Sequence, residues 1–296
     1  MLIREPAVAG AFYAADPRRC HAEIDACLKR AAAPPAFADS DPPPQHVIGA
    51  VVPHAGWICS GAVAARAVAA LASRRTPETV VVFGAIHVPH GPTATIYAAG
   101  AWRTPIGLAP IADDHAAHLL RHIDLLESNP NAHAREHSIE VEVPFLQHLL
   151  PNAKIVPIMV PPGPDAVTLG RAVGEAFASS QTDVAFLAST DLTHYGPRFG
   201  FTPRGLGEAG VTWARDVNDR RMIDAIRRLR EETIVGEARA NWNACGPGAV
   251  AATIAACKAL GATRAVLLEH TTSHDVLRGL DPDGDDSVGY AGMLIG

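Results

Sequence analysis

Short apolar runs alternate with helical segments along this chain, and this order limits the folds that it can adopt. Predicted strands cover residues 47–52, 79–83, 94–100, 154–160, 183–188, 264–268 and 288–294. Helical patterns cover residues 16–32, 62–73, 113–126, 165–178, 211–229 and 247–260. Continuously apolar strands such as 79–83 are typical of parallel sheets that helices cover on both faces. The chain is therefore predicted to form an α/β fold, a layered, largely parallel sheet with flanking helices.

Composition narrows the class of protein. With 48% hydrophobic and 19% charged residues among 296, the chain can bury a substantial core, and we expect one domain over residues 1–296. A net charge of −6 argues against nucleic-acid binding, which needs clustered Lys and Arg. We find no apolar run of membrane-spanning length and no secretory signal, so we expect a cytoplasmic protein without a membrane partner. Five irregularly spaced cysteines do not suggest a disulfide framework.

Polar side chains follow three of the predicted strands directly. Pro53 ends the first strand because it cannot donate to a sheet ladder, and His54 follows it. His87 comes just after the second strand, and Asp191 and His194 follow the strand at 183–188. The carboxyl ends of parallel strands meet at one edge of a sheet, where ligands bind. These four polar residues are therefore expected at a common edge.

Cys245 lies where the helix at 247–260 begins, a position that favours the thiolate through the helix dipole and free N–H groups. Two imidazoles and one anionic ligand, with open positions remaining, are typical of redox-active or Lewis-acid metal sites. We therefore predict His54, His87 and Cys245 as metal ligands. The thiolate favours Fe(II), Cu or Zn over Mg or Ca.

Asp191 and His194 are the predicted catalytic residues. His194 is a candidate acid/base because a neutral imidazole exchanges protons near pH 7. Asp191 could orient a histidine or be a ligand itself, and the same segment could instead be only a turn held by Asx hydrogen bonds.

Several other polar residues are left open. His90 is an alternative ligand to His87, and Cys59 lies close to the first strand end. His118 and His122 are spaced four apart, but a solvated helix face is favoured. The acidic segment Glu136, His137, Glu140 and Glu142 could form a charged wall, or could cap a helix and pair with Arg side chains.

Taken in order along the chain, these motifs resemble the Memo family. The matching segments are Pro6 to Tyr13, Pro53-His54-Ala55-Gly56, Gly84 to His87, Glu136-His137-Ser138-Ile139-Glu140, Ser189-Thr190-Asp191, His194-Tyr195-Gly196, Cys245-Gly246 and Ser287 to Ala291. Differences from the family pattern include Ala85-Ile86 before the second histidine, Trp57 in place of a tyrosine, and Cys59 at a position that is often aromatic. These differences make the pocket more apolar but remove no ligand.

The resemblance implies a fold like that of class III extradiol ring-cleaving dioxygenases, which hold Fe(II) with two histidines and a glutamate. By the same resemblance, Cys245 stands where the glutamate would be, and His194 matches their acid/base histidine. Bacterial and archaeal relatives often act with a radical-SAM protein and an AMMECR-type protein. Eukaryotic relatives are described as metal-binding proteins in cell motility and redox signalling.

Three functions remain in competition. The first is a non-haem Fe(II) oxygenase-like enzyme that acts on a small, planar substrate. The second is a non-catalytic module that binds metal, or a peptide or protein partner, at a vestigial site, because a thiolate beside O₂ is easily oxidised. The third is a zinc-dependent hydrolase.

Overall fold

A computed structural model describes residues 1–35, 37–89, 91–180, 182–279 and 284–296. Its strands are β1 (Ile3–Arg4), β2 (Gly49–Val52), β3 (Thr79–Gly84), β4 (Ala94–Ile96), β5 (Ala101–Thr104), β6 (Gly107–Pro110), β7 (Leu126–Ser128), β8 (Lys154–Met159), β9 (Val184–Ser189), β10 (His194–Tyr195), β11 (Ala265–Thr272) and β12 (Ser287–Ile295). The helices are α1 (Pro17–Ala31), α2 (Trp57–Ala72), α3 (Asp113–His122), α4 (Pro130–His133), α5 (Val143–Leu149), α6 (Asp165–Ala178), α7 (Glu208–Trp213), α8 (Asp219–Arg227), α9 (Glu231–Asn241), α10 (Pro247–Ala259) and α11 (Ser273–Leu277).

The central sheet has the order β10-β12-β2-β9-β3-β8-β4-β7, with β11 paired to β12. The four inner strands β2, β9, β3 and β8 are parallel. Antiparallel pairing occurs farther out, where β12 joins β2 and β4 joins β8. The outermost pair, β4 and β7, is parallel as well. The predicted α/β class with a largely parallel sheet and flanking helices is confirmed.

Several element boundaries differ from the predicted ones. Residues 101–110, which lie outside the predicted strands and helices, form the hairpin β5–β6, which pairs with β1 in a separate three-stranded sheet. Helix α2 begins at Trp57, five residues earlier than predicted, and Gly56 is the residue that precedes its first turn. The predicted helix at 211–229 is interrupted by a π-helical turn at Ala214–Asn218.

Helices α2 and α10 pack on the inner strands. Helix α2 contacts β2 and β12, whereas α10 contacts β9 and β3 and has α6 beside it. The five cysteines are all free thiols. Among the described residues, no helix combines the length and the apolar character that crossing a bilayer requires.

The strand order determines which loops meet. Strands β2, β9 and β3 are neighbours, so the residues after Val52, Ser189 and Gly84 emerge side by side. Gly84 allows the chain at 138–139 to lie against the end of β3, because a Cβ there would be 2.4 Å from Ile139 Cγ1. Gly246 likewise allows the start of α10 to lie against the end of β9, because a Cβ there would be 2.5 Å from the Ser189 carbonyl oxygen.

Candidate metal centre

Three imidazoles converge at the carboxyl edge of the inner strands. Ring centroids are 5.0 Å apart for His54 and His87, 5.5 Å for His54 and His137, and 4.6 Å for His87 and His137. One ring nitrogen of each histidine lies within 4.8 Å of the others, a spacing that could hold a metal ion. The sequence-based ligands His54 and His87 therefore lie together, and His137 joins them.

Cys245 completes this cluster. Its Sγ lies 3.2 Å from His54 Nε2 and accepts a hydrogen bond from the Asp191 backbone N–H at 3.2 Å. His54, Asp191 and Cys245 form a second group of possible ligand atoms within 4.8 Å of one another. His54 belongs to both groups, so a single site can draw on the three predicted ligands as well as His137 and Asp191.

The tautomer of His54 follows from its neighbours. Ser189 Oγ lies 2.6 Å from the Ser138 carbonyl oxygen, to which it donates, and 2.7 Å from His54 Nδ1. Because the hydroxyl proton is used by Ser138, Nδ1 must carry the proton and donate to Ser189. The unprotonated Nε2 then faces Cys245, as a metal ligand requires. Burial, with the nearby His87 and His137, holds the pKa of His54 well below its usual value and so keeps it neutral.

Glu136 orients His87. The Glu136 Oε2 atom accepts from the His87 backbone N–H at 2.5 Å, and Oε1 lies 3.0 Å from His87 Nδ1. The N–H groups of His137 and Ser138 also donate to Oε1, at 2.8 and 2.9 Å. Burial would raise the pKa of this carboxyl, but the hydrogen bonds from His87 and Ser138 outweigh it and hold the pKa well below its usual range. Glu136 is thus a buried, ionised acceptor behind the cluster.

The thiol of Cys245 behaves differently from the expectation based on its helix position. Burial raises its pKa, and the interaction with His87 acts in the opposite direction without cancelling the effect. The position of Cys245 before α10 is therefore not sufficient to lower its pKa and favour the thiolate. Metal binding would displace the proton, because the thiolate is the form that binds metals.

The remaining acidic residues of this segment face away from the cluster or are enclosed. Glu140 accepts from Arg4 Nη1 at 2.6 Å and from the Tyr13 hydroxyl at 2.8 Å, which ties the amino-terminal segment to the site. Glu142 is buried, and its Oε2 has no hydrogen-bond partner among the residues that the structure describes. Burial, followed by the nearby Asp191, raises the pKa of Glu142 well above its usual value.

The predicted catalytic residues lie beside the cluster. Asp191 is buried, and its Oδ1 accepts from the His54 backbone N–H at 2.8 Å, so it holds the ligand-bearing turn. His194 Nδ1 donates to the Leu192 carbonyl oxygen at 3.1 Å, which leaves Nε2 as a proton acceptor. His194 and Cys245 line the same groove.

A polar network that sequence reasoning missed fixes the segment carrying Asp191 and His194. Asp219 Oδ1 accepts from the Thr193 backbone N–H at 2.9 Å, and Asn218 Nδ2 donates to Thr193 Oγ1 at 3.1 Å. His270 Nε2 lies 2.9 Å from Asp219 Oδ2 in a fully buried pair. Asn218 is the last residue of the π-helical turn and Asp219 is the first residue of α8, so this network is formed where the helix geometry changes. A π-helical turn has no simple sequence signature.

The other open candidates lie elsewhere. Cys59 is half-buried beside Tyr290. The rings of His118 and His122 on α3 lie 4.3 Å apart between centroids, tilted by 35°, and belong to neither group of possible ligands found in the described residues. His90 lies outside the described residues. The sequence predicts for His137 only a place in a charged wall or a helix cap, because it follows no strand, although the Glu-His-Ser-Ile-Glu motif contains it.

Fold and site together define an α/β protein with a cluster of metal-type ligands at the carboxyl edge of its parallel strands. A solved structure supports the fold: that of the uncharacterized protein JW3007 from Escherichia coli K12 aligns with a TM-score of 0.53 over 83% of this chain and 99% of that one, at 12% identity.

Sequence comparison gives the family. The family described as Memo-like protein matches residues 4–294. The MEMO1 family protein MTH_45 of Methanothermobacter thermautotrophicus is 37% identical over 98% of this chain and 99% of its own. The MEMO1 family protein MK0963 of Methanopyrus kandleri is 36% identical over 99% of this chain and 98% of its own. The chain belongs to the Memo family.

Proposed function

We propose that this protein binds one transition-metal ion, with Fe(II) as the physiological metal, through His54, His87 and Cys245. The observation that carries this proposal is that His54 belongs to two groups of possible ligand atoms, one with His87 and His137 and the other with Asp191 and Cys245. Within each group these atoms lie within 4.8 Å of one another. Nitrogen and sulfur ligands suit Fe(II), Cu and Zn, and do not suit Mg or Ca. His137 is the additional nitrogen donor of this site.

The donors are prepared for a metal in three ways. The lone pair of His54 Nε2 faces inward because Ser189 holds Nδ1–H. His87 is held by an ionised carboxylate, which raises the basicity of the ring nitrogen left to bind metal. Asp191 fixes the His54 backbone, so the two imidazoles keep their relative position.

The same site fits an oxygenase-like enzyme acting on a small, planar substrate. Fe(II) supplies Lewis acidity and one-electron chemistry when bound. The groove beside Cys245 has a volume of about 360 Å³, enough for a substrate of a single ring. His194 would take a proton from a substrate hydroxyl at Nε2, because its other nitrogen is already committed to Leu192.

The second candidate function is metal binding without catalysis, and the thiol favours it. Cys245 is a ligand that oxygen chemistry damages, because a metal-bound thiolate is oxidised readily to sulfenic and higher acids. In this case the protein would carry or sense a soft metal and engage a peptide or protein at the pocket. By family resemblance, a radical-SAM protein and an AMMECR-type protein are the proposed partners, in the cytoplasm.

Elemental analysis of protein purified without an affinity tag and without oxygen tests the metal. We expect about one iron per chain in the wild type, less than a tenth of that in Cys245→Ser and His54→Ala, and full content in Cys59→Ser. Cys59→Ser is the matched control because it removes a half-buried thiol that lies outside the cluster. Equal metal content in the Cys245 and Cys59 variants would refute the proposed site.

Exposure of the Fe(II)-loaded protein to oxygen, with a panel of catechols, separates the two functions. Ring cleavage that requires both Cys245 and His194 supports the enzyme. Stoichiometric metal without turnover, accompanied by oxidation of Cys245 in mass spectra, supports the non-catalytic protein.

A further inference from the structure

A groove opens beside the metal cluster, and several residues of its lining have no role in the proposed function. Cys245 and His194 lie at one side of it, and Phe199, Trp242 and Arg239 line the remainder. Its volume of about 360 Å³ falls within the range of small-molecule sites. The groove therefore runs from the candidate metal ligands to solvent, and two aromatic rings and a guanidinium group line it.

Trp242 occupies a position that ordinarily selects glycine. It follows the last residue of α9 in the left-handed conformation, with φ of 53° and ψ of 40°. A residue with a side chain pays about 1–2 kcal/mol there, and glycine pays nothing. The indole is nevertheless 63% exposed, and it stacks on Phe201 with ring centroids 5.5 Å apart and an interplanar angle of 10°. A strained backbone that presents a tryptophan to solvent at a groove indicates a binding surface.

Arg239 lies one helical turn before Trp242, on the same groove. Within the described residues, its guanidinium forms no ion pair with a carboxylate. The acidic residue two positions earlier, Glu237, is engaged by Asn241 and Asn243, at 2.8 and 3.0 Å. The positive charge of Arg239 is therefore available to a ligand.

We propose that this groove binds a small aromatic molecule that carries a carboxylate. The ring packs against Trp242 and Phe199, the carboxylate pairs with Arg239, and the opposite end of the ring points toward Cys245 and His194. Aromatic faces and a guanidinium fork recognise such a molecule at both of its ends. This inference rests on the proposed function only in taking the cluster as the site that the far end of the ligand reaches.

Calorimetric titration with 3,4-dihydroxybenzoate and with catechol tests the role of Arg239. The two probes share a ring and hydroxyl groups and differ only in the carboxylate. We expect the wild type, loaded with redox-inert Zn(II), to bind 3,4-dihydroxybenzoate about tenfold more tightly than catechol, the gain of one partly exposed charge-assisted hydrogen-bond pair. Arg239→Gln should lose this preference. Arg18→Gln, at an exposed arginine of α1, is the matched control and should keep it.

Tryptophan fluorescence locates the bound ring. Trp57 and Trp102 are buried, at 3% and 1% exposure, whereas Trp213 is half-buried and lies 6.4 Å from Phe201 between ring centroids. The measurement is therefore made in a Trp213→Phe background, in which quenching by a ligand in the groove reports mainly on Trp242. Quenching should persist in Trp57→Phe and disappear in Trp242→Phe, while Trp242→Ala should weaken binding of both probes.

Two results would overturn the inference. One is equal affinity of the two probes in the wild type, and the other is a carboxylate preference that survives in Arg239→Gln. The zinc content of the same samples separates this inference from the proposed function. If the protein holds a full complement of zinc but does not prefer the carboxylate probe, only the groove assignment is refuted. If the protein holds no zinc but shows a preference that depends on Arg239, only the metal site is refuted.

Discussion

Replacing Glu136 by glutamine tests whether an ionised carboxylate organises the cluster. The change keeps the size of the side chain and removes its charge. Glu136 is a pure acceptor with four donors around it: the backbone N–H groups of His87, His137 and Ser138, and the Nδ1 of His87. A glutamine has one oxygen and an NH₂ group, so it cannot satisfy all four.

The geometry determines which contact is lost. The glutamine oxygen would take the place of Oε1, which accepts three hydrogen bonds, and its NH₂ would face the His87 N–H that Oε2 accepts at 2.5 Å. One charge-assisted hydrogen bond is then lost and a buried donor is left unpaired, at a cost of about 1–3 kcal/mol. The other three contacts weaken because the acceptor is neutral. We expect a total loss of about 2–4 kcal/mol in unfolding free energy, and metal affinity about 10–100-fold lower because His87 is less well oriented.

The pH dependence has a definite sign. Because the pKa of Glu136 is lower in the folded protein than its usual value of 4.5, its ionised form stabilises the fold above that pH. This contribution is lost as the pH falls toward the folded-state pKa. The difference between wild type and Glu136→Gln should therefore be complete at pH 7 and shrink below about pH 4.5.

Urea denaturation of the metal-free protein and competition for Zn(II) with a chromophoric chelator measure the two effects. Glu232→Gln is the control, because Glu232 is exposed and pairs with Arg171 only across 3.4 Å at the surface. A Glu136→Gln protein that matched this control in both stability and zinc affinity would refute the role assigned to the carboxylate.

Three further substitutions probe the surroundings of the site. Glu142→Gln should make the stability less dependent on pH, because the raised pKa of Glu142 makes the wild type lose stability as the pH rises above 4.5. An equal change in urea midpoint between pH 5 and pH 8 in the two proteins would contradict this. Arg4→Met should cost about 3–5 kcal/mol, because the Glu140 carboxylate stays buried without its cation and keeps only neutral donors such as the Tyr13 hydroxyl. A loss below 1 kcal/mol in urea denaturation would show that the ion pair is dispensable. Gly84→Ala should cost about 1–3 kcal/mol and lower zinc affinity, because its Cβ would push Ile139 off the strand end, and an unchanged protein would mean that this contact is easily relieved.

The strand ends that carry His54 and His87, and the start of α1, could be predicted because they depend on local sequence. Pro53 ends β2 and brings His54 to the sheet edge, and the apolar run before Gly84 does the same for His87. Asp16, with Pro17 after it, starts α1 as expected, and the Asp16 side chain accepts from the Arg19 N–H at 2.9 Å. Each of these depends on neighbouring residues and on the general geometry of parallel sheets.

His137 was not predictable in the same way, because its position depends on contacts distant in sequence. The Arg4 guanidinium donates to the carbonyl oxygens of His133 and Glu136, at 3.0 and 2.6 Å, and to the Glu140 carboxylate. Together with the close approach at Gly84, these bonds place the segment over the end of β3. No pattern within residues 130–142 indicates where that segment docks.

The cluster is assembled by two networks that meet at the ligands and at the hydrogen bond from Ser189 to the Ser138 carbonyl oxygen. On one side, Glu136 and the Arg4–Glu140 pair hold His87 and His137. On the other side, Asp219 and the neighbouring Asn218 hold the segment of Asp191 and His194, and Asn243 Nδ2 donates to the Asn218 carbonyl oxygen at 3.0 Å, two residues before Cys245. His54 joins the two sides, because its ring contacts Ser189 and Cys245 and its backbone donates to Asp191. A metal bound here would cross-link the two halves of the edge, so its binding energy would add to folding stability.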